Sequence, residues 1–159
     1  MLNDESISKF RSEVIERTIN IEWIMNGIIS QHYFKKVLMP FVFEFLYDEY
    51  CTFALKRRVL EKIIPGIDKQ KMQDLNRVNT IRNYFAHCNQ VLVEGTDPTD
   101  LSAISKVIDP RKLDRAIDFK ELHKEFIGIA GHVEEYLAKV YVDKGGVLQK
   151  DEDFKKAKS

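Results

Sequence analysis

Apolar residues recur every three, four or seven positions through most of the chain, which is the period of an α-helix with one buried face. The first such segment covers residues 4–36, with Asp4 as its candidate N-cap, and Pro40 ends it. The second, residues 41–64, opens with an alternating aromatic run that would also suit a strand. Because its continuation has the helical period and no partner strand is near, we expect helix throughout residues 41–64.

Two further segments show the same period, at residues 68–89 and 119–142. Asp68 is the candidate cap of the first, and glycines follow the second. Residues 91–118 between them are the least regular part of the chain, and a loop of this length is usually functional or carries short elements of its own. No strand–helix–strand rhythm or glycine-rich phosphate loop is present. The pattern predicts an all-α helical bundle.

Length and composition favour one soluble domain. The 159 residues predict a single helical domain at 1–142, followed by a polar, flexible tail at 143–159. No apolar run reaches the length of a membrane span, and the polar N-terminus does not resemble a signal peptide. Cys51 and Cys88 are too few to staple a domain of this size. We therefore expect a cytoplasmic protein without membrane contact.

The charge balance limits the kind of nucleic-acid contact that the chain can make. Lys and Arg together number 25, as do Asp and Glu, so the formal net charge is zero. Proteins that coat nucleic acid by electrostatics alone are normally basic. A small, specific nucleic-acid site remains compatible with this composition.

A stripe of uncharged polar residues lies opposite the apolar side of the third helical segment. At about 100° per residue, one arc should face the core: Val78, Ile81, Phe85 and Cys88. The opposite face collects residues that form hydrogen bonds without charge: Asn76, Thr80, Asn83 and His87, with Asn79 and Gln90 beside them. A solvated helix face usually carries Lys and Glu, so this stripe indicates contact with a partner or ligand. Spacing alone leaves ordinary surface residues as an equal alternative.

Three residues of this face carry chemistry. Asn83 and His87 are four positions apart and so are neighbours on one helix face, and Arg82 sits beside them. A neutral imidazole accepts a proton near pH 7, and a guanidinium fork holds two phosphate oxygens. Together with an orienting amide, these groups suffice to activate a ribose 2′-hydroxyl against its own phosphate.

The sequence Arg82-Asn83-Tyr84-Phe85-Ala86-His87 resembles the Arg-x4-His signature of HEPN domains. The similarity extends over about residues 7–142 and is nearest to the mannitol operon repressor-like and small stand-alone branch. The resemblance implies an up-and-down bundle of four to five helices that forms a homodimer. Two copies of the motif would then line one composite cleft near the twofold axis.

The same resemblance implies a metal-independent endoribonuclease, or an RNA- or nucleotide-binding protein, of a toxin–antitoxin or phage-defence type. His87 would act as general base or acid, Arg82 would stabilise the charge on the phosphate, and Asn83 would position the phosphate or His87. An antitoxin or regulatory protein would be a further partner, and no cofactor or metal is expected. The alternative is a non-catalytic regulatory or protein-interaction module of the transcription-regulator type.

Three other sets of candidate residues each allow two interpretations. Glu22 would either pair with Arg82 or lie at the edge of the buried helix face. The basic run at 56–58 would either contact a nucleic-acid backbone or, as we prefer, form a solvated helix end. Trp23 and the aromatics of residues 41–53 suit a core or dimer interface, with nucleotide stacking as the rarer alternative. The remaining histidines lack metal-ligand spacing: His32, His123 and His132.

Overall fold

A computed structural model describes residues 4–87, 106–108 and 116–148. The elements follow in the order α1 (Asp4–Phe34), α2 (Met39–Phe41), a π-helical turn (Val42–Leu46), α3 (Phe53–Ile63), α4 (Lys69–His87), β1 (Lys106–Ile108), β2 (Ala116–Asp118) and α5 (Phe119–Asp143). The described part of the chain is therefore almost entirely helical, which confirms the all-α class.

One short sheet lies within the region that the sequence marked as irregular. β1 and β2 pair antiparallel, with Lys106 opposite Asp118. Each strand has three residues, too few for an alternating pattern to identify it in the sequence. Asp118 then caps α5, because its Oδ1 accepts hydrogen bonds from the backbone amides of Lys120 and Glu121 at 2.8 and 3.3 Å.

The continuous helix predicted for residues 41–64 is wrong at its centre. The π-helical turn ends at Leu46, and α3 begins only at Phe53. Between them, Asp48 Oδ1 accepts from the amide of Tyr50 at 2.9 Å, and Thr52 Oγ1 accepts from the amide of Leu55 at 3.2 Å. Such side-chain bonds compete with helical backbone bonds and define a turn followed by an N-cap.

The cap predicted for α4 is confirmed. Asp68 Oδ1 accepts from the amides of Gln70 and Lys71, at 2.9 and 3.3 Å. From there α4 continues unbroken to His87. Its predicted apolar arc is fully buried at Val78, Ile81 and Phe85, while Cys88 lies outside the described residues. This helix therefore has a core face and an opposite face, as its sequence period requires.

The described residues belong to two compact units. Of the described residues, the first comprises 4–21, 68–87, 106–108 and 116–133, and the second comprises 22–67 and 134–148. Helices α1 and α5 contribute residues to both units. Fully buried side chains in the first unit include Val14, Leu75, Phe85, Phe119 and Phe126, and those in the second include Met25, Ile28, Leu60 and Leu137.

The start of the predicted tail is held by hydrogen bonds. α5 ends at Asp143, and the next residue, Lys144, donates from Nζ to the carbonyl of Ile63 at 3.1 Å. The same Nζ lies 3.2 Å from His32 Nδ1. Burial and the Lys144 and Lys35 charges lower the pKa of His32, so its imidazole accepts from the ammonium in its neutral form. Residues 149–159 lie outside the described part of the chain.

Candidate functional site

Asn83 lies on the face of α4 opposite its buried arc, and Arg82 lies beside it, between that face and the arc. Both side chains are half-buried, and Arg82 Nη1 donates to Asn83 Oδ1 at 3.0 Å. The amide thus restrains the guanidinium while leaving its other N–H groups for further acceptors. Because α4 is unbroken, His87 follows Asn83 by one helical turn as the last residue of the helix. The side chain of His87 lies outside the described residues.

The rest of the polar stripe makes contacts within its own helix. Asn76 is exposed, and Thr80 uses its hydroxyl to donate to the Asn76 carbonyl at 3.0 Å. Asn79 is half-buried, and Gln90 lies outside the described residues. The described residues of the stripe thus range from half-buried to exposed. The hydrogen bond between two side chains on this part of α4 joins Arg82 and Asn83.

An ion pair in the same unit was not foreseen from the sequence. Arg77 on α4 holds the Glu125 carboxylate of α5 with two bonds, Nε to Oε1 at 2.5 Å and Nη2 to Oε2 at 2.7 Å. The hydrogen bonds and charge of Arg77 lower the pKa of the Glu125 carboxyl, and partial burial opposes them. Nothing in the local sequence signals a contact between residues so far apart.

This pair predicts a small loss of stability in acid. A carboxyl group with a lowered pKa stabilises the fold above its ordinary pKa and stops doing so as the pH falls through the folded-state value. Both side chains are well exposed, so we expect Glu125→Gln to cost less than about 1 kcal/mol at pH 7. In urea unfolding at low pH, wild type and Glu125→Gln should converge. For an exposed control, Glu135→Gln, the stability difference from wild type should not change with pH in this way. If the stability difference between wild type and Glu125→Gln is the same at pH 7 and at low pH, the Arg77–Glu125 pair does not contribute as proposed.

A histidine–carboxylate pair also lies in the first unit. His123 Nε2 is 2.9 Å from Glu13 Oε2, and the imidazole stacks on Phe10 with ring centroids 4.1 Å apart. In the sequence, His123 lacks metal-ligand spacing and Glu13 belongs to no motif, so neither residue was predicted as a partner of the other. A carboxylate in this position fixes the orientation and tautomer of an imidazole. Sequence spacing could not indicate this pair, because Glu13 and His123 are 110 positions apart.

The preferred prediction for the basic run is wrong at its first residue. Lys56 is only 1% exposed, and its Nζ bonds Glu22 Oε1 at 2.5 Å. Lys56 lies on the same face of α3 as the buried Leu60, one turn away. Glu22, considered as a partner of Arg82, is instead the counterion of Lys56. Arg57 is paired with Glu61 along the helix.

The aromatics of the second unit are exposed, so the core interpretation is wrong for most of them. Trp23 is 43% exposed, Phe43 58% and Tyr50 80%. Phe45 and Tyr47 are exposed too, whereas the aliphatic Val42 and Leu46 of the same segment are buried. Burial in this turn therefore follows helical spacing and not alternation, because Glu44, midway between Val42 and Leu46, is exposed.

No family model, no curated protein and no solved structure matches the chain. Among the described residues, no helix is long and apolar enough to cross a membrane. Within the same residues, no three His, Cys, Asp or Glu side chains are grouped so that they could hold a metal ion.

Proposed function

We propose that this chain is a HEPN-like, metal-independent endoribonuclease that acts through Arg82, Asn83 and His87. The observation that supports the proposal is the hydrogen-bonded Arg82–Asn83 pair on α4, one turn before His87. A restrained guanidinium binds phosphate and an imidazole transfers protons, so the two groups together supply the chemistry that RNA cleavage needs. The resemblance of residues 82–87 to the HEPN signature supports the same function.

The proposed reaction is an internal transesterification of RNA. The imidazole of His87 takes the proton of a ribose 2′-hydroxyl, and the 2′-oxygen attacks the adjacent phosphorus. The bond from phosphorus to the 5′-oxygen breaks, and this oxygen receives a proton from an imidazolium. Arg82 stabilises the negative charge that builds on the phosphate oxygens, and Asn83 keeps the guanidinium in place. The products are a 2′,3′-cyclic phosphate and a 5′-hydroxyl, without consumption of water.

The proposal includes a homodimer. One chain supplies one copy of the motif, whereas the reaction uses both a base and an acid. A twofold axis close to two α4 helices would bring two copies of Arg82 and His87 to one cleft and so supply both groups. RNA is the proposed substrate, and an antitoxin or regulatory protein would be the partner that restrains it in a toxin–antitoxin or phage-defence system.

The test is incubation of a mixed RNA pool with the protein in EDTA, with the oligomeric state measured by light scattering. We expect fragments that end in 2′,3′-cyclic phosphate and begin with 5′-hydroxyl, produced by a dimer. A folded dimer that leaves the pool intact, or fragments with 3′-hydroxyl ends, would contradict the endoribonuclease. An intact pool would favour the alternative, a non-catalytic regulatory or protein-interaction module.

A further inference from the structure

The second unit exposes a contiguous set of aromatic rings. Trp23 of α1 lies against two rings contributed by the π-helical turn and the residue after it, with centroids 6.2 Å from Phe43 and 6.4 Å from Tyr47. Phe43 and Tyr47 are themselves 6.0 Å apart. Phe45 and Tyr50 expose further rings on the same segment of chain. Exposed apolar surface of this kind on a folded protein generally marks a contact with another molecule.

Tyr47, one ring of this surface, is held by a cation–π contact with a buried lysine. The Lys56 ammonium lies 4.9 Å from the centre of the Tyr47 ring, and the same ammonium is bonded to Glu22. A cation over the face of an aromatic ring attracts it, more strongly when the cation is shielded from water. Tyr47 is therefore fixed before any partner arrives, which lowers the entropy cost of binding.

The exposed rings are interleaved in sequence with carboxylates, and the ammonium that lies against Tyr47, that of Lys56, is buried and paired with Glu22. Glu44, Asp48 and Glu49 are all exposed, and the sequence has no Lys or Arg between residues 37 and 55. Among them, Asp48 accepts a hydrogen bond from the amide of Tyr50 through Oδ1. We call the joined rings of Trp23, Phe43 and Tyr47, together with the three carboxylates that neighbour them in sequence, the acidic aromatic face.

We propose that the acidic aromatic face docks a basic segment of a partner protein that carries apolar anchors. Lys or Arg side chains of the partner would meet the carboxylates and the ring faces, and its apolar side chains would pack on Trp23, Phe43 and Tyr47. Aromatic residues are the usual anchors of protein interfaces. The proposal concerns residues apart from Arg82, Asn83 and His87 and is independent of the ribonuclease proposal.

The charge of the face argues against other occupants. RNA brings phosphates, which the three exposed carboxylates would repel, since the Lys56 ammonium is buried and already paired with Glu22. A second copy bound through the same face would place these carboxylates against their equivalents, because a twofold contact pairs a surface with itself. A basic protein segment is the occupant whose charge is complementary.

The test uses a synthetic amphipathic peptide of Lys and Leu as the probe, and the same peptide with Glu in place of Lys as its control. Trp23 is the one tryptophan in the chain, so its fluorescence reports directly on the face. We expect a saturable change with the Lys peptide and none with the Glu peptide. Glu44→Lys/Glu49→Lys should weaken binding by about tenfold, and Phe43→Ala should weaken it as well. The matched control Glu16→Lys/Glu135→Lys changes exposed carboxylates elsewhere and should bind as wild type does.

Several results would overturn this proposal. They are equal binding of both peptides, no binding of the Lys peptide, or equal weakening by the control variant. Self-association that disappears in Phe43→Ala would identify a second copy as the occupant. A fluorescence change caused by Lys155→Glu/Lys156→Glu/Lys158→Glu without any peptide would identify the chain's own basic end. RNA cleavage should be the same in wild type and Glu44→Lys/Glu49→Lys, so failure of docking is distinguishable from failure of the ribonuclease.

Discussion

Arg82→Ala should slow RNA cleavage by about 10²–10³-fold while leaving the protein folded, because a lost donor to the developing charge typically has this effect. Arg82 is half-buried and donates to the side chain of its neighbour Asn83, so truncation removes the guanidinium without opening the core. Arg82→Lys should recover only part of the rate, since an ammonium keeps the charge but lacks the planar fork. Single-turnover cleavage of one purified substrate measures these rates.

His87→Ala belongs to the same prediction and should reduce the rate by about 10²–10⁴-fold, the usual contribution of a general acid or base. The matched controls are Arg58→Ala on α3 and His132→Ala on α5, both at exposed positions outside the motif. These controls should cleave as wild type does. Equal cleavage by all variants would identify a contaminant or another site. Losses in the controls as large as in the motif variants would contradict the assignment of the site to α4.

Glu22→Ala should lower the free energy of unfolding by about 3 kcal/mol, the largest stability effect that we expect outside the apolar core. The substitution leaves the Lys56 ammonium, which is 1% exposed, without its counterion. Removing one partner of a buried ion pair generally costs roughly 3–5 kcal/mol, and the 22% exposure of Glu22 places this pair at the lower end. Urea unfolding at pH 7 provides the measurement.

A double-mutant cycle separates the ion pair from simple truncation. Lys56→Met keeps most of the apolar stem, so Glu22→Ala/Lys56→Met should recover much of the stability lost in Glu22→Ala. The exposed pair of Arg57 and Glu61 is the control, and Glu61→Ala should cost less than about 0.5 kcal/mol. If the effects of the Glu22 and Lys56 substitutions simply add, the pair contributes nothing through coupling and the prediction fails.

Local features of the chain were sufficient to predict much of the helical structure. Helical periodicity and the Asp68 cap depend on residues within a few positions of one another, so the sequence shows them directly. For the same reason the outer face of α4, with Asn83 and His87 one turn apart and Arg82 beside it, follows from the sequence. The ribonuclease activity of these residues and their dimeric cleft stay predictions.

The sequence by itself determined the helical class, the buried arc of α4 and the arrangement of the motif, because these depend on helix geometry alone. Only the tertiary structure decided the break before Phe53, where side-chain caps replace helical bonds, and the burial of Lys56 against Glu22. It also decided the pair of Arg77 and Glu125 and the exposure of the aromatic rings. A hydrophobicity pattern predicts which side chains are buried on average. Whether a particular side chain is buried or exposed depends on contacts with residues that are far away in sequence.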